Sequence, residues 1–199
     1  MKIRKATDSD VENIIRIHMN SFPRGLMTFM GTKYLERTYM GLVRHSEIGL
    51  VCEDESYVVR GFVFSKPPGP SFSRFNLKLG ISILFSLIKN FWTLMPLLLS
   101  RIHLFLMSYI QLKKVVYASD FLELAYIAID ESLRSNGIGR ELIKAFEQEA
   151  NSILGYTLCS TRTHNERLTA FYIKNKKATV LFKIKNRNDY SCVLCWNLN

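Results

Sequence analysis

The chain has 199 residues, 48% of them hydrophobic and 22% charged, which suits one globular domain with a sizeable core. Its formal net charge is +10, and its four cysteines and four histidines show no metal-ligand spacing, so a metal-dependent site is not expected. Cysteine usage without a secretion signal points to a reducing, cytoplasmic setting.

Lys2 to Ala6 reads as a first strand. Thr7-Asp8-Ser9-Asp10 resembles a capping box that opens a helix with Val11, Ile14, Ile15 and His18 on one face, and Phe22-Pro23 breaks it. Lys33 to Val43 suggests a second helix. Ile48 to Cys52, Asp54-Glu55-Ser56 and Tyr57 to Ser65 read as a hairpin. Phe121 to Ile129 is an apolar run read as a buried strand. Strict alternation there groups Glu123, Ala125, Ile127 and Ile129 opposite Leu122, Leu124 and Tyr126. Ile138, Leu142 and Phe146, with Ile143, mark the next helix. Tyr156 to Ser160 reads as a strand, and Ala178 to Lys185 with Tyr190 to Leu198 as a closing hairpin. Cys192 and Cys195 form a Cys-x-x-Cys, but a three-residue offset on a strand turns the thiols to opposite faces, so both read as structural.

Between the strand ending at Ile129 and the helix opening near Ile138 lies Arg134-Ser135-Asn136-Gly137-Ile138-Gly139-Arg140. A strand, a short turn with two glycines and a helix start make an anion cradle, because the first N–H groups of a helix are unpaired and carry partial positive charge. Leu142 stands where a dinucleotide-binding turn would need a third glycine, and Gly139-Arg140-Glu141 supplies no Gly-Lys-Ser/Thr of a Walker loop. Arg-x-x-Gly-x-Gly, preceded by Ile127-Ala128-Ile129-Asp130, resembles the acetyl-CoA signature of the GNAT-superfamily N-acetyltransferases. An ordinary strand-to-helix connection is the bland alternative.

Asn165 and Tyr172 lie seven residues apart, close to two helical turns, which would put both side chains on one helix face. The spacing is similar to that of a GNAT helix in which the asparagine binds the cofactor and the tyrosine protonates the leaving thiolate. A phenol with a pKa of about 10 is chemically suited to that donation. Phe171 and Tyr172 as core aromatics is the competing reading. For the base, Glu123 matches the strand position of a catalytic glutamate in several GNAT members; a solvated strand-end glutamate is the alternative. Ribosomal-protein acetyltransferases of the superfamily instead place a glutamate five residues before the asparagine, where this chain has Ser160. Asn175-Lys176-Lys177 also departs from the Leu-Gly-Phe common in the family.

The resemblance covers residues 1–65 and 116–199. Pro67-Pro68-Gly69-Pro70 opens an insertion, 66–115, whose runs Leu79 to Ile88, Phe91 to Leu99 and Leu104 to Ile110 read as short apolar helices within a single domain, 1–199. Lys89 and Arg101 interrupt the runs and Pro96 would kink one, so no uncharged stretch reaches the roughly 18–20 residues of a membrane span. No Asp or Glu lies between Glu55 and Asp120, and eight of the ten net positive charges fall there. Such a segment suits an anionic partner or peripheral contact with a membrane surface through 71–114, or a helical subdomain packed on the sheet or in a homodimer. Nucleic acid fits less well, because the basic residues are spread through apolar runs.

The resemblance implies an α+β GNAT fold: a mixed, mostly antiparallel sheet of about seven strands flanked by helices. It implies acetyl-CoA as co-substrate, with Ile127, Ala128 and Ile129 along the pantetheine, residues Arg134, Ser135, Asn136, Gly137, Ile138, Gly139 and Arg140 at the pyrophosphate, and Asn165 as a further contact. Tyr172 and Glu123 are the expected acid and base of direct transfer to a primary amine. The acceptor expected first is an anionic small molecule such as a nucleotide-linked or lipid-linked amino sugar, because GNAT members with such an insertion resemble enzymes of bacterial surface-polysaccharide pathways. Peptide N-acetylation and a non-catalytic acetyl-CoA sensor are the alternatives.

Overall fold

A computed structural model describes residues 1–66, 121–185 and 190–198. The segment read as the helical insertion, including 71–114, lies outside these residues, apart from Lys66 at the end of a strand. The described chain runs β1 (Lys2–Lys5), α1 (Val11–Ser21), α2 (Leu26–Phe29), α3 (Thr32–His45), β2 (Gly49–Glu53), β3 (Val59–Lys66), β4 (Phe121–Ile129), α4 (Ile138–Gln148), β5 (Leu158–Thr163), α5 (Glu166–Lys176), β6 (Thr179–Lys185) and β7 (Tyr190–Asn197). The seven strands form one sheet in the order β1-β2-β3-β4-β5-β7-β6. Pairing is antiparallel from β1 to β4 and between β6 and β7, and parallel between β4 and β5.

Residues 1–66, 121–161 and 197–198 belong to one compact unit, and residues 162–185 and 190–196 to a second. In the first, the amphipathic patterns decide the layers. Val11, Ile14, Ile15 and Ile17 of α1 and Leu35 and Tyr39 of α3 bury against Val51, Phe62, Phe64 and Ala128 of the sheet. Ile138, Leu142, Ile143 and Phe146 of α4 are all buried, and α4 packs on β2, β3 and β4. Gly61 permits that approach: a Cβ on it would stand 3.1 Å from Leu142 Cδ1 and 3.2 Å from the Ala128 carbonyl oxygen.

The expected capping box is present in altered form. Asp10 accepts from the Thr7 N–H at 2.8 Å and from the Thr7 hydroxyl at 2.8 Å, and a 3-10 turn, Asp8–Asp10, precedes α1. Arg4 joins Asp10 at 2.7 Å and Glu53 at 2.6 Å, so two buried carboxylates share one guanidinium. Burial opposes ionisation of Asp10, but Arg4 and Thr7 hold its carboxyl below the usual range.

Several element boundaries differ from the sequence reading. β3 begins at Val59, because Tyr57 sits in the turn with φ 60°. β5 runs from Leu158 to Thr163, displaced toward the C-terminus, because a π-helical turn, Glu149–Ile153, extends α4 and delays the strand. The short α2 lies in the connection where only a helix break was expected.

Candidate active site

The sheet forks inside the first unit. β4 pairs with β5 only from Phe121↔Leu158 to Leu124↔Thr161. The Thr161 hydroxyl donates to the Leu124 carbonyl at 2.8 Å, which closes the vertex. From Ala125 to Ile129 the β5-facing edge of β4 has no strand partner among the described residues, while its other edge stays paired to β3. The backbone of Ile127, Ala128 and Ile129 is therefore an open strand edge, able to accept an extended, amide-bearing ligand as an added strand.

A β-bulge marks the same place. Phe64 pairs with Tyr126 and Ser65 with Leu124, so Ala125 is passed over in the register. The extra residue reverses the alternation. Glu123 accordingly shares a face with Tyr126 and Ala128, toward α1 and α3, and not with Ile127 and Ile129. Ile129 lies on the α4 side, where its Cδ1 comes within 2.8 Å of a Cβ built on Gly139. This corrects the grouping expected from strict alternation. The sequence gives no warning of the bulge, because apart from Glu123 β4 is apolar on both faces, and one polar residue cannot mark a slip in a period of two.

On its new face Glu123 is half-buried, beside β5 residue Ser160, with which it pairs in register. Ser160 is buried and is where the sequence departs from the glutamate of the ribosomal-protein subgroup. Tyr126 packs edge-on to Tyr39 at 6.2 Å between ring centroids. Burial, and secondarily Tyr34 and Glu123, push its hydroxyl up to about 12, so it is a neutral hydrogen-bond donor at working pH. Behind it, His18 Nδ1 meets the Tyr39 hydroxyl at 2.7 Å.

Beyond Ile129 the chain enters the glycine turn. Asp130 N–H donates to the Arg60 carbonyl at 2.7 Å, a 3-10 turn spans Glu131–Leu133, and α4 begins at Ile138. Ser135 and Gly137 take φ values of 73° and 82°. Alternating left-handed residues turn successive N–H groups to one side, the geometry of an anion nest. Among the described residues, none of the N–H groups of Ser135, Asn136, Gly137, Ile138 and Gly139 donates to a backbone carbonyl. A Cβ built on Gly137 meets nothing within 4 Å, so the space in front of the nest is open to a phosphate. These residues fit a pyrophosphate. Arg134 turns its guanidinium to Ser21 Oγ at 3.2 Å and to Glu131 at 3.4 Å, and Arg140 is exposed.

Asn165 and Tyr172 belong to the second unit. Asn165 is the N-cap of α5, its side-chain oxygen accepting from the Leu168 N–H at 2.8 Å. It stands before the helix and not on a shared helical face, since asparagine at a helix start satisfies an otherwise unpaired donor. Tyr172 is 3% exposed and stacks on Trp196 with centroids 5.3 Å apart; Phe171 meets it edge-on at 5.3 Å. Thr163, Thr169 and Tyr190 join in a hydroxyl chain of 2.6 and 2.9 Å that ties α5 to β5 and β7.

Among the described residues no three His, Cys, Asp or Glu gather to hold a metal, and no helix is long and apolar enough to cross a membrane.

Residues 105–175 match the family model described as Acetyltransferase (GNAT) family. Solved structures agree over the whole chain. An aminoglycoside 6'-N-acetyltransferase complexed with coenzyme A superposes with a TM-score of 0.64 at 12% identity, covering 100% of this chain and 98% of that one. The fold is that of the GNAT acetyltransferases. A ribosomal-protein-alanine N-acetyltransferase from Brucella melitensis shares this GNAT fold with a TM-score of 0.62, 14% identity and 99% coverage of both chains. An N-acetyltransferase from Staphylococcus aureus Mu50 gives 0.60 and 14%, over 100% of this chain and 98% of that one. No curated protein matches the sequence.

Proposed function

We propose that this GNAT-fold protein is an acetyl-CoA-dependent N-acetyltransferase that transfers the acetyl group directly to a primary amine. One observation carries the reading: among the described residues, the β4 edge beyond Leu124 has no strand partner and runs into a turn whose N–H groups from Ser135 to Gly139 have no backbone partners. An extended amide chain ending in a pyrophosphate matches that sequence of donors and acceptors. Ile127, Ala128 and Ile129 would hold the pantetheine, residues 134–140 the pyrophosphate, and Asn165 a further part of the cofactor. Acetyl-CoA supplies an activated acyl group, so the chain has to orient an amine and manage two protons. Glu123 takes the proton from the attacking nitrogen as the C–N bond forms. Tyr172 gives one to the sulfur as the C–S bond breaks.

For the acceptor we favour an amino sugar carrying an anionic group, such as a nucleotide-linked or lipid-linked sugar. Fold similarity to an aminoglycoside acetyltransferase supports an amino-sugar acceptor, and the net charge of +10 favours an anionic one over a cationic one. A peptide amine is the second reading, supported by fold similarity to the ribosomal-protein-alanine enzyme; Ser160, in place of that subgroup's glutamate, counts against it.

The test is a coenzyme A release assay with acetyl-CoA and panels of nucleotide amino sugars, free amino sugars, polyamines and peptides, alongside calorimetric titration with coenzyme A. Turnover with the nucleotide sugars is expected. Coenzyme A binding with silence across every panel would favour a non-catalytic sensor. Absence of binding would remove the cofactor assignment.

A further inference from the structure

Asp130 is the residue at which the open strand becomes the phosphate turn, and it carries more bonds than a connector needs. Its Oδ1 accepts from the Ser132 N–H at 3.3 Å and from the Ser132 hydroxyl at 2.9 Å. Its Oδ2 pairs with Arg16 of α1 at 3.1 Å and with Arg60 of β3 at 3.6 Å. Its N–H reaches the Arg60 carbonyl at 2.7 Å, and its own carbonyl accepts from Leu133 at 3.0 Å. Arg16 also reaches the Val59 carbonyl at 3.5 Å, and Arg60 binds Asp54 at 2.7 Å. A second strut from α1, Ser21 to Arg134, fixes the middle of the same turn.

A carboxylate beside an anion cradle is electrostatically adverse. Here it is only 13% exposed and met by two guanidiniums, so its charge is offset while its geometry is kept. Burial works against ionisation, but Arg16 and Ser132 hold the Asp130 carboxyl below its ordinary range, so the clasp is charged at any working pH.

We propose that Asp130 is a positioning residue for acetyl-CoA: by clasping Ser132, Arg16 and Arg60 it holds residues 135–139 with their N–H groups already aimed at the pyrophosphate. This rests on the acetyl-CoA reading above. Flexible loops lose conformational freedom when they bind, so a turn fixed in advance binds more tightly without adding a contact. Charge and positioning then predict opposite outcomes. Removing a negative charge next to an anion site strengthens binding if long-range electrostatics dominate. It weakens binding if the clasp matters more.

Calorimetric titration with coenzyme A on wild type, Asp130→Asn and Asp130→Glu, with steady-state kinetics on any acceptor found, makes the distinction. Asp130→Asn is isosteric and preserves an acceptor for Ser132; Asp130→Glu preserves the charge but moves it by one methylene. Both are expected to weaken coenzyme A binding by about three- to tenfold through lost pre-organisation, to raise KM for acetyl-CoA and to leave kcat within about twofold. Unchanged or tighter binding by Asp130→Asn, or wild-type binding by Asp130→Glu, overturns the proposal. Failure of the wild type to bind coenzyme A would instead overturn the acetyl-CoA reading on which it rests.

Discussion

Glu123 and Tyr126 project from the same face of β4, three residues apart, because Ala125 is passed over in the pairing with β3. The bulge puts Glu123 on the face that carries Tyr126, the α1 and α3 side, and Ser160 pairs with it on β5. If Glu123 is the base, Glu123→Gln keeps the shape and removes the proton acceptor. Its kcat is expected to fall by about 10²–10³-fold, in the range that a positioned acid or base contributes. Coenzyme A affinity should stay within about twofold. A variant as active as the wild type would remove Glu123 from the chemistry.

Gly137 offers a second test, because it combines φ 82° with open space in front of its Cα. Gly137→Ala meets no atom but holds a Cβ in the left-handed region, so a loss of about 1 kcal/mol in unfolding free energy is expected. Gly137→Glu adds bulk and negative charge where the phosphates would lie. Coenzyme A binding should vanish from the titration while the protein still unfolds cooperatively. Full affinity in that variant would disprove the phosphate role of the turn.

These two positions show what could be read without coordinates. The four buried residues of α4 and the apolar face of α1 were legible because a one-sided helix writes its burial into a 3.6-residue period. The glycine turn was legible because left-handed backbone favours glycine, although Ser135, also left-handed at φ 73°, gave no such sign. The face of Glu123 was hidden. Apolar residues on both sides of β4 leave no alternation for a bulge to disturb. Asn165 illustrates a different limit. Seven-residue spacing to Tyr172 assumes that both residues are helical, whereas the asparagine side chain bonds the Leu168 N–H and begins the helix instead. Asp130 stands in the sequence only as the residue that ends the run Ile127-Ala128-Ile129-Asp130 before the turn, with no role of its own. Its partners Arg16 and Arg60 come from distant parts of the chain, which local pattern cannot bring together.

Tyr172 separates a chemical role from a packing role. The ring is buried and stacked on Trp196, and phenylalanine preserves that stack. Tyr172→Phe removes only the hydroxyl, so stability should fall by about 0.5–1.5 kcal/mol, the net worth of one hydrogen-bonding group. If the hydroxyl protonates the leaving thiolate, turnover falls by about 10²-fold with little change in coenzyme A affinity. Equal loss of stability and activity would mark the tyrosine as core. Retained activity would exclude the acid role outright.

His18 provides a prediction about the fold, independent of any ligand. It is 4% exposed between Phe22 and Tyr39, and its Nε2 has no hydrogen-bond partner among the described residues. Burial lowers its pKa from 6.5 to about 4, so the imidazole is neutral in the folded protein through the whole physiological range. The unfolded chain takes up a proton near its ordinary pKa, and the folded chain does so only near 4. Between those values the unfolded state binds more protons, so stability falls as pH is lowered through the window. A shift of this size corresponds to a loss of about 2–3 kcal/mol between pH 7 and pH 4.5. The aspartates paired with arginines have lowered values and lose their contribution only at more acid pH, below this window. Urea unfolding at the two pH values should show the loss in the wild type. In His18→Gln, whose side chain does not titrate, most of the pH dependence should disappear, even though losing the Tyr39 contact lowers stability at both pH values. Equal slopes in the two proteins would mean that His18 is protonated, or open to water, in the folded state.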